Sequence, residues 1–361
     1  IFSPVSGFTF SDWFELLRQA NFRISPRYLP RAFLITLNSL AITAVARKEQ
    51  RNFGDQIAQT AIHPPVFILG HWRSGTTHLH NLISRDPQFA FPNFFQTTQP
   101  HSFLSTEKRA SRSRLLKALT PRTRLIDNMN ASLQAPMEDE VALTILCALS
   151  PVLSSVFPHQ AEHFDRYLTF NDVPQPEIER WKQSFSGFVR KLSLKYERPM
   201  VLKSPPHTCR IRLLLELFPN ARFIHIHRNP YTVFQSYKRS TQIMNKLIQL
   251  QLPDLRQLDD RIIRQYREMY DAYFEEIDLI PKGRFHELAY EALEQDPLGE
   301  LKTIYSALDL GEFSQVEPVL RAYLGTLKDY RKSELHSIEP HLKRRIYDAW
   351  APCFGTWGYP R

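Results

Sequence analysis

The sequence is poor in glycine and in cysteine. Only 11 of its 361 residues are glycine, where average usage would give roughly 25, so each glycine needs a local reason. The three cysteines, Cys147, Cys209 and Cys353, include no Cys-x-x-Cys pair. That pattern excludes a disulfide framework and a cysteine-based zinc site, and it is typical of a protein in a reducing compartment.

The sequence also lacks the features of a disordered, fibrous or multi-span membrane protein. Hydrophobic residues make up 43% and charged residues 23%, which is close to a soluble globular protein. The net charge of +9 implies anionic partners. No arginine-glycine tract and no aromatic-interleaved basic repeat accompanies it, so we expect no nucleic-acid partner. The length allows one large α/β domain with additions.

No apolar run is long enough to predict a bilayer span. Residues 32–46 are apolar, but the run is only 15 residues long and Asn38 interrupts it, which is too short. Basic residues flank the run within the segment 23–51. We expect first a helix packed on the main domain, and second a peripheral contact with an anionic membrane surface. No secretory signal is visible, so a cytoplasmic protein is expected, with membrane association as the second expectation.

Strands and helices alternate from residue 64 onward. Short apolar runs predict four buried strands, with helical spacing between them: 66–69, 200–202, 222–227 and 284–288. Such alternation predicts a parallel sheet with helices on both faces. An earlier uncharged stretch, 141–157, is broken by Pro151 and predicts a buried helix followed by a strand.

The predicted domain organisation has three parts. Residues 1–55 form an N-terminal helical extension, and residues 56–361 form the main domain. Within that domain a helical insertion covers about 100–195 and shapes an acceptor pocket.

The first predicted strand runs into a glycine-bounded loop, residues 70–77, with the sequence GHWRSGTT. A strand-to-helix turn of this kind presents backbone N–H groups to an anion. The spacing of Gly70 and Gly75 is that of a nucleotide-triphosphate loop. However, Thr76 stands where that loop has its lysine, Arg73 supplies the charge instead, and no aspartate ends the third strand to hold magnesium. The loop therefore predicts a phosphate site without ATPase or GTPase chemistry.

With these differences, the loop resembles that of the sulfotransferases that use 3′-phosphoadenosine 5′-phosphosulfate (PAPS). In that family an Arg- or Lys-Ser-Gly-Thr-Thr loop binds the 5′-phosphosulfate. The matching residues in this sequence are Arg73, Ser74, Gly75, Thr76 and Thr77. The resemblance implies that PAPS is the co-substrate and that no metal takes part.

Further segments resemble the same family in the same order. Arg228, followed eight residues on by Ser236, matches the signature that grips the 3′-phosphate. Tyr290 matches the family's tyrosine that contacts adenine, and Arg331 and Lys332 match basic residues that close over the 3′-phosphate. The motifs span residues 66 to about 310, and the first 55 residues lie outside them. They imply a three-layer α/β architecture, the P-loop-containing nucleotide hydrolase-like (sulfotransferase) fold.

Sulfuryl transfer requires little covalent participation by the protein. An acceptor oxygen or nitrogen attacks sulfur in line, and adenosine 3′,5′-bisphosphate leaves. The protein must align the reactants and neutralise the charge that grows on the leaving phosphate. Arg73 and the loop amides suit the leaving group, and Lys203, at the end of the second strand, is expected to reach the bridging oxygen.

The general base has several candidates. Many cytosolic members of the family place a histidine two residues after the equivalent lysine, but here that position is Pro205. His207 lies two residues further on. Other members use a glutamate, and Glu138 and Glu140 belong to an acidic cluster that leads into an apolar run. These carboxylates also suit a helix N-terminus by compensating its dipole. We rank the glutamates above His207.

The sequence is therefore interpreted as a PAPS-dependent sulfotransferase. The acceptor is a hydroxyl or amine of a small molecule or lipid, with an apolar portion. His225 and His227 share a strand face, but no third ligand lies nearby in sequence, so no metal site is expected. One alternative is a small-molecule kinase, which magnesium dependence would reveal. Another is a catalytically inactive nucleotide- or membrane-binding module.

Overall fold

The computed structural model describes residues 5–112, 132–327 and 337–361. They fall into two compact units, described separately below. The first unit comprises Ile1–His63, Pro92–Glu197 and Thr241–Leu255, and the second comprises Pro64–Phe91, Arg198–Ser240 and Arg256–Arg361. The predicted boundaries of the extension and of the insertion stay predictions.

The helices of the described residues are numbered in chain order. They are α1 (Phe10–Gln19), α2 (Leu29–Gln59), α3 (Thr76–Ile83), α4 (Phe94–Thr98), α5 (Phe103–Arg112), α6 (Asp139–Cys147), α7 (Leu153–Val156), α8 (Ala161–Asp165), α9 (Gln175–Tyr196), α10 (Ile211–Leu217), α11 (Pro230–Ile248), α12 (Leu258–Glu276), α13 (Tyr290–Gln295), α14 (Pro297–Leu308), α15 (Phe313–Gly325) and α16 (Pro340–Trp357).

The second unit is built on a parallel sheet of four strands. The strands are β1 (Val66–Leu69), β2 (Val201–Lys203), β3 (Arg222–His227) and β4 (Phe285–Ala289), in the spatial order β2-β1-β3-β4. All pairings are parallel, so the strands' carboxyl ends meet at one edge of the sheet. The predicted parallel sheet is confirmed, and β2 and β4 both begin and end one residue later than expected.

Side chains alternate between the two faces of this sheet, as pleating requires. On one face Val66 and Ile68 of β1 join a buried apolar cluster with residues of α3, α14 and α15. On the other face Phe67 stacks on Phe223 at 5.5 Å between ring centroids, and it also contacts Phe218. Helical layers on both faces confirm the predicted three-layer α/β architecture.

The first unit is helical in its described part. Trp13 and Trp181 are fully buried there. The strand predicted within 141–157 is wrong, because residues after Pro151 form the short helix α7. Its first turn is closed by a hydrogen bond from the Leu153 N–H to the Ser150 carbonyl, at 3.2 Å. An apolar run of this length cannot distinguish a buried strand from a buried helix.

Helix α2 begins just before the apolar run 32–46 and continues beyond it to Gln59. Among the described residues one helical stretch, Pro26–Gln59, is long and apolar enough to cross a membrane, with a mean hydropathy of 1.5 and 22% of its apolar window buried. One face packs within the first unit, where the Trp13 indole N–H donates to Thr36 Oγ1 at 2.9 Å. The opposite face exposes large apolar side chains, namely Leu29, Phe33, Leu34, Leu37 and Leu40.

Candidate active site

Two glycines shape the loop between β1 and α3. Gly70 has φ +138°, and a Cβ there would overlap the Ile226 carbonyl oxygen. Its N–H donates to Thr208 Oγ1 at 2.7 Å. Gly75 has φ +105°, and a Cβ there would collide with the ring of Tyr290. Both positions require the left-handed backbone region that glycine adopts without strain.

The loop has donor groups suited to an anion. Thr76 and Thr77 begin α3, and the first N–H groups of a helix have no partner inside it. Ser74 is fully buried, and its Oγ has no hydrogen-bond partner among the described residues. Buried hydroxyls of this kind are rare in proteins. A phosphate or sulfate oxygen would supply the missing acceptor, so the loop fits the 5′-phosphosulfate of PAPS.

Residues from three strand ends meet at this loop. The Arg73 Nε donates to Ser236 Oγ at 2.9 Å. Arg228, directly after β3, donates from Nη1 to the Arg73 carbonyl at 3.4 Å, and its guanidinium lies 4.2 Å from the ring centre of Tyr290. The structure therefore brings together residues that the sequence analysis assigned to the two phosphates and to adenine. Their individual roles stay predictions.

Lys203 lies beside the loop, as its position at a strand end predicted. In the sheet register it pairs with Ile68 of β1. Its side chain is 2% exposed, and its Nζ donates to Thr77 Oγ1 at 3.3 Å. The ammonium group is thus held at the first turn of α3, where its charge counts most because water is largely excluded.

Comparison with known proteins decides the family. The sequence profile of the Sulfotransferase family matches residues 64–315. The chain belongs to the sulfotransferase family. This sulfotransferase is 35% identical over 356 residues to the omega-hydroxy-beta-dihydromenaquinone-9 sulfotransferase Stf3 of Mycobacterium bovis and to that of Mycobacterium tuberculosis. The alignment covers 98% of this chain and 91% of each relative.

Solved structures support the fold of this sulfotransferase. It is similar to sulfotransferase STF9 from Mycobacterium avium, with a TM-score of 0.74 and 19% identity over 94% of this chain and 89% of that one. It is also similar to STF1 from Mycobacterium tuberculosis, with a TM-score of 0.66 and 16% identity over 97% and 93% of the two chains. The predicted fold is therefore confirmed. The family profile and the relatives at 35% identity confirm the predicted activity, enzymatic sulfuryl transfer.

The base candidates of this sulfotransferase lie in different surroundings. His207 is fully buried. Its ring contacts Phe67 edge-on, with 5.4 Å between the two ring centroids. Glu138 and Glu140 belong to the first unit, at the start of α6. The Glu140 carboxylate accepts a hydrogen bond from Ser150 Oγ at 2.7 Å. Which of the three acts as base stays a prediction.

Two predicted residues cannot be placed. Arg331 and Lys332 lie outside the described residues. Conversely, Thr208 was not singled out from the sequence, although its hydroxyl holds Gly70. The sequence feature that could have identified Thr208 is its position directly after the segment that follows β2.

The histidines of β3 belong to a buried network. Among the described residues no cluster of His, Cys, Asp and Glu has a metal-binding arrangement. Instead His225 Nδ1 lies 2.7 Å from Glu287, which also accepts a hydrogen bond from Tyr273 at 2.8 Å. Burial by itself raises the pKa of Glu287, but these hydrogen bonds outweigh it and lower the pKa to about 2.

His227, next to Arg228, is held by the C-terminal helix. Its ring stacks on Trp357 at 4.7 Å, and its Nδ1 lies 2.9 Å from the Tyr359 hydroxyl. Burial lowers the pKa of His227 to about 4, so the ring is neutral at pH 7. The end of β3, which carries Arg228, is thereby fixed by aromatic packing.

Proposed function

We propose that this sulfotransferase transfers the sulfuryl group of PAPS to a hydroxyl of a lipid acceptor, without a metal ion. The observation that carries the proposal is the meeting of Arg73, Ser236, Arg228 and Tyr290 around the glycine loop. The bond from Arg73 to Ser236 makes a continuous row of donors from the loop to α11. Such a row suits a nucleotide with phosphates at both its 5′ and its 3′ positions.

Each group has a role in this proposal. The α3 amides, Ser74 and Arg73 hold the 5′-phosphosulfate, and Arg228 with Ser236 holds the 3′-phosphate. PAPS supplies the sulfuryl group when it is bound. Lys203 donates a hydrogen bond to the leaving oxygen, and this contact strengthens as negative charge develops there.

The acceptor is proposed from the curated relatives. Both are sulfotransferases of omega-hydroxy-beta-dihydromenaquinone-9, and they align with 98% of this chain. A lipid alcohol with a long apolar portion is therefore the acceptor class that the comparison supports. A screen of alcohols and amines with radiolabelled PAPS would test it, and turnover restricted to water-soluble acceptors would contradict it.

We also propose that the protein is cytoplasmic and touches an anionic membrane surface through residues 23–51. The exposed apolar face of α2 supports this contact, since contiguous apolar patches mark interaction sites. Basic residues surround that face, namely Arg23, Arg27, Arg31, Arg47, Lys48 and Arg51. Within 23–51 the single acidic residue, Glu49, is buried against Lys191.

Binding of adenosine 3′,5′-bisphosphate should not depend on a metal ion. The reason is that Arg73 supplies the charge of the phosphate loop, and that no aspartate directly follows β3 to bind magnesium. Calorimetric titration with and without a chelator should give the same dissociation constant. Binding that disappears with the chelator would contradict the metal-free proposal and favour a kinase.

Replacing Gly75 by alanine should weaken bisphosphate binding by roughly tenfold or more. The left-handed backbone alone costs about 1–2 kcal/mol for a residue with a Cβ, and here the Cβ also displaces Tyr290. Gly283→Ala is the matched control, because Gly283 has φ +77° with nothing within 4 Å of its Cβ. Calorimetry and thermal unfolding of both variants test this. Equal losses of affinity would show that Tyr290 does not contribute to the site.

A further inference from the structure

A large groove opens in the first unit beside α2. Its volume is about 1780 Å³, and all its lining residues belong to that unit. Small-molecule pockets usually measure about 300–1,000 Å³, so this groove has room for a long molecule. Leu34, Ala41 and Val45 of α2 form an apolar wall.

The charge around the groove is of one sign. Arg27, Arg31, Arg109 and Lys246 line it, and no described lining residue is acidic. The guanidinium carbons of Arg27 and Arg31 lie 5.9 and 5.3 Å from the ring centroid of Tyr28. Concentrated positive charge beside an apolar wall is complementary to an amphiphile with an anionic headgroup.

Two residues that line the groove each have a buried amide oxygen without a partner. Asn245 and Gln249 both line it and are each 6% exposed. The Asn245 Oδ1 and the Gln249 Oε1 have no hydrogen-bond partner among the described residues, although the other end of the Gln249 amide bonds Tyr28. Buried polar atoms are almost always satisfied in folded proteins. Two such atoms in one groove therefore indicate a ligand that carries hydroxyl groups.

The rim of the groove is apolar and faces solvent. Leu34, Leu247 and Leu252 line the groove and are all exposed. At 100° per residue, Leu34 and Ala41 fall on the same side of α2 as the exposed Leu37. The groove is thus continuous with the apolar face of α2, from which a lipid chain can enter without crossing water.

We propose that this groove binds one glycerophospholipid whose anionic headgroup carries free hydroxyls. Its acyl chains lie along the apolar wall of α2, its phosphate meets Arg27 and Arg31, and its headgroup hydroxyls donate to Asn245 and Gln249. The proposal goes beyond sulfuryl transfer, since it concerns binding alone and holds whichever alcohol is sulfated.

The probe is dioctanoyl phosphatidylglycerol, kept below its micelle concentration and titrated into the full chain by calorimetry without nucleotide. Glycerol 1-phosphate, which lacks the chains, should show no measurable binding. Dioctanoyl phosphatidylcholine lacks the net charge and the free hydroxyls. Its affinity should be lower by roughly tenfold or more. Equal affinity for the two lipids would overturn the headgroup assignment.

Two exposed alanines of α2 give a matched pair of variants. Ala41 lines the groove and Ala44, three residues on, does not. Ala41→Trp should lower the affinity for phosphatidylglycerol by roughly tenfold, because the indole fills the space of the chains. Ala44→Trp should leave it unchanged. Equal effects would show that the lipid binds the exposed face of α2 rather than the groove.

Asn245→Leu separates a ligand contact from a structural role. Removing an amide whose oxygen is buried without a partner should leave the melting temperature of the free protein equal or higher, while the affinity for phosphatidylglycerol falls severalfold. A lower melting temperature with unchanged affinity would overturn the role of Asn245. Because no donor nucleotide is present, failed binding refutes the groove proposal alone, and failed turnover with PAPS refutes the proposed function alone.

Discussion

Replacing Lys203 by alanine should lower kcat and kcat/KM for PAPS by similar factors, about 10²–10³. The ammonium group lies at the first turn of α3, beside Thr77. Charge on the leaving oxygen appears only as the sulfur–oxygen bond breaks, so Lys203 stabilises the transition state more than the ground state. Steady-state kinetics with radiolabelled PAPS measure both parameters.

Lys282→Ala is the control for this experiment. Lys282 is an exposed lysine that precedes β4 at the amino edge of the same sheet, so its loss should leave kcat unchanged. Lys203→Arg keeps the charge in a different shape and should recover part of the rate. A Lys203→Ala enzyme with normal kcat would contradict the assignment of this strand end to the transfer reaction.

The same kinetic assay distinguishes the base candidates. Glu138→Gln, Glu140→Gln and His207→Ala should be measured together. The variant that removes the base should lose about as much rate as Lys203→Ala, and its pH–rate profile should lose the acid limb. A variant that only disturbs packing should lower thermal stability and keep that limb.

Replacing Arg228 by alanine should weaken adenosine 3′,5′-bisphosphate strongly and 5′-AMP little. Arg228 is proposed to hold the 3′-phosphate, and a charge-assisted hydrogen bond contributes about 1.5–3 kcal/mol. The expected loss is therefore roughly tenfold or more for the bisphosphate. Calorimetry with both nucleotides tests this, since 5′-AMP lacks the phosphate in question.

Arg222→Ala is the matched control for Arg228. Arg222 begins β3 and Arg228 follows its last residue, so the two arginines mark opposite edges of the sheet. The control should leave both affinities unchanged. Equal losses for the bisphosphate and for 5′-AMP in the Arg228 variant would show that Arg228 supports Tyr290, 4.2 Å from its guanidinium, rather than the 3′-phosphate.

Features that depend on neighbouring residues could be predicted from the sequence. Short apolar runs predicted the four strands, because a parallel strand is buried on both faces. Asn229 followed by Pro230 is a local signal for the start of a helix, and the Oδ1 of Asn229 accepts hydrogen bonds from the N–H groups of Tyr231 and Thr232 in α11, at 3.0 and 3.3 Å. Scarce glycine made Gly70 and Gly75 conspicuous, and the loop motif indicated phosphate chemistry.

Contacts between residues far apart in the sequence could not be predicted in this way, because they form only when the chain is folded. The ring of Tyr290 is the reason that Gly75 has no side chain, and Ser236 is the partner of Arg73 across 163 positions. Residues after Pro151 form a helix, although their apolar character suited a strand equally well. The buried amide oxygens of Asn245 and Gln249, which lack a hydrogen-bond partner among the described residues, have no sequence signature. The local backbone conformation depends on adjacent residues. Burial, steric exclusion and hydrogen-bond partners depend on chain segments that come together only in the folded protein.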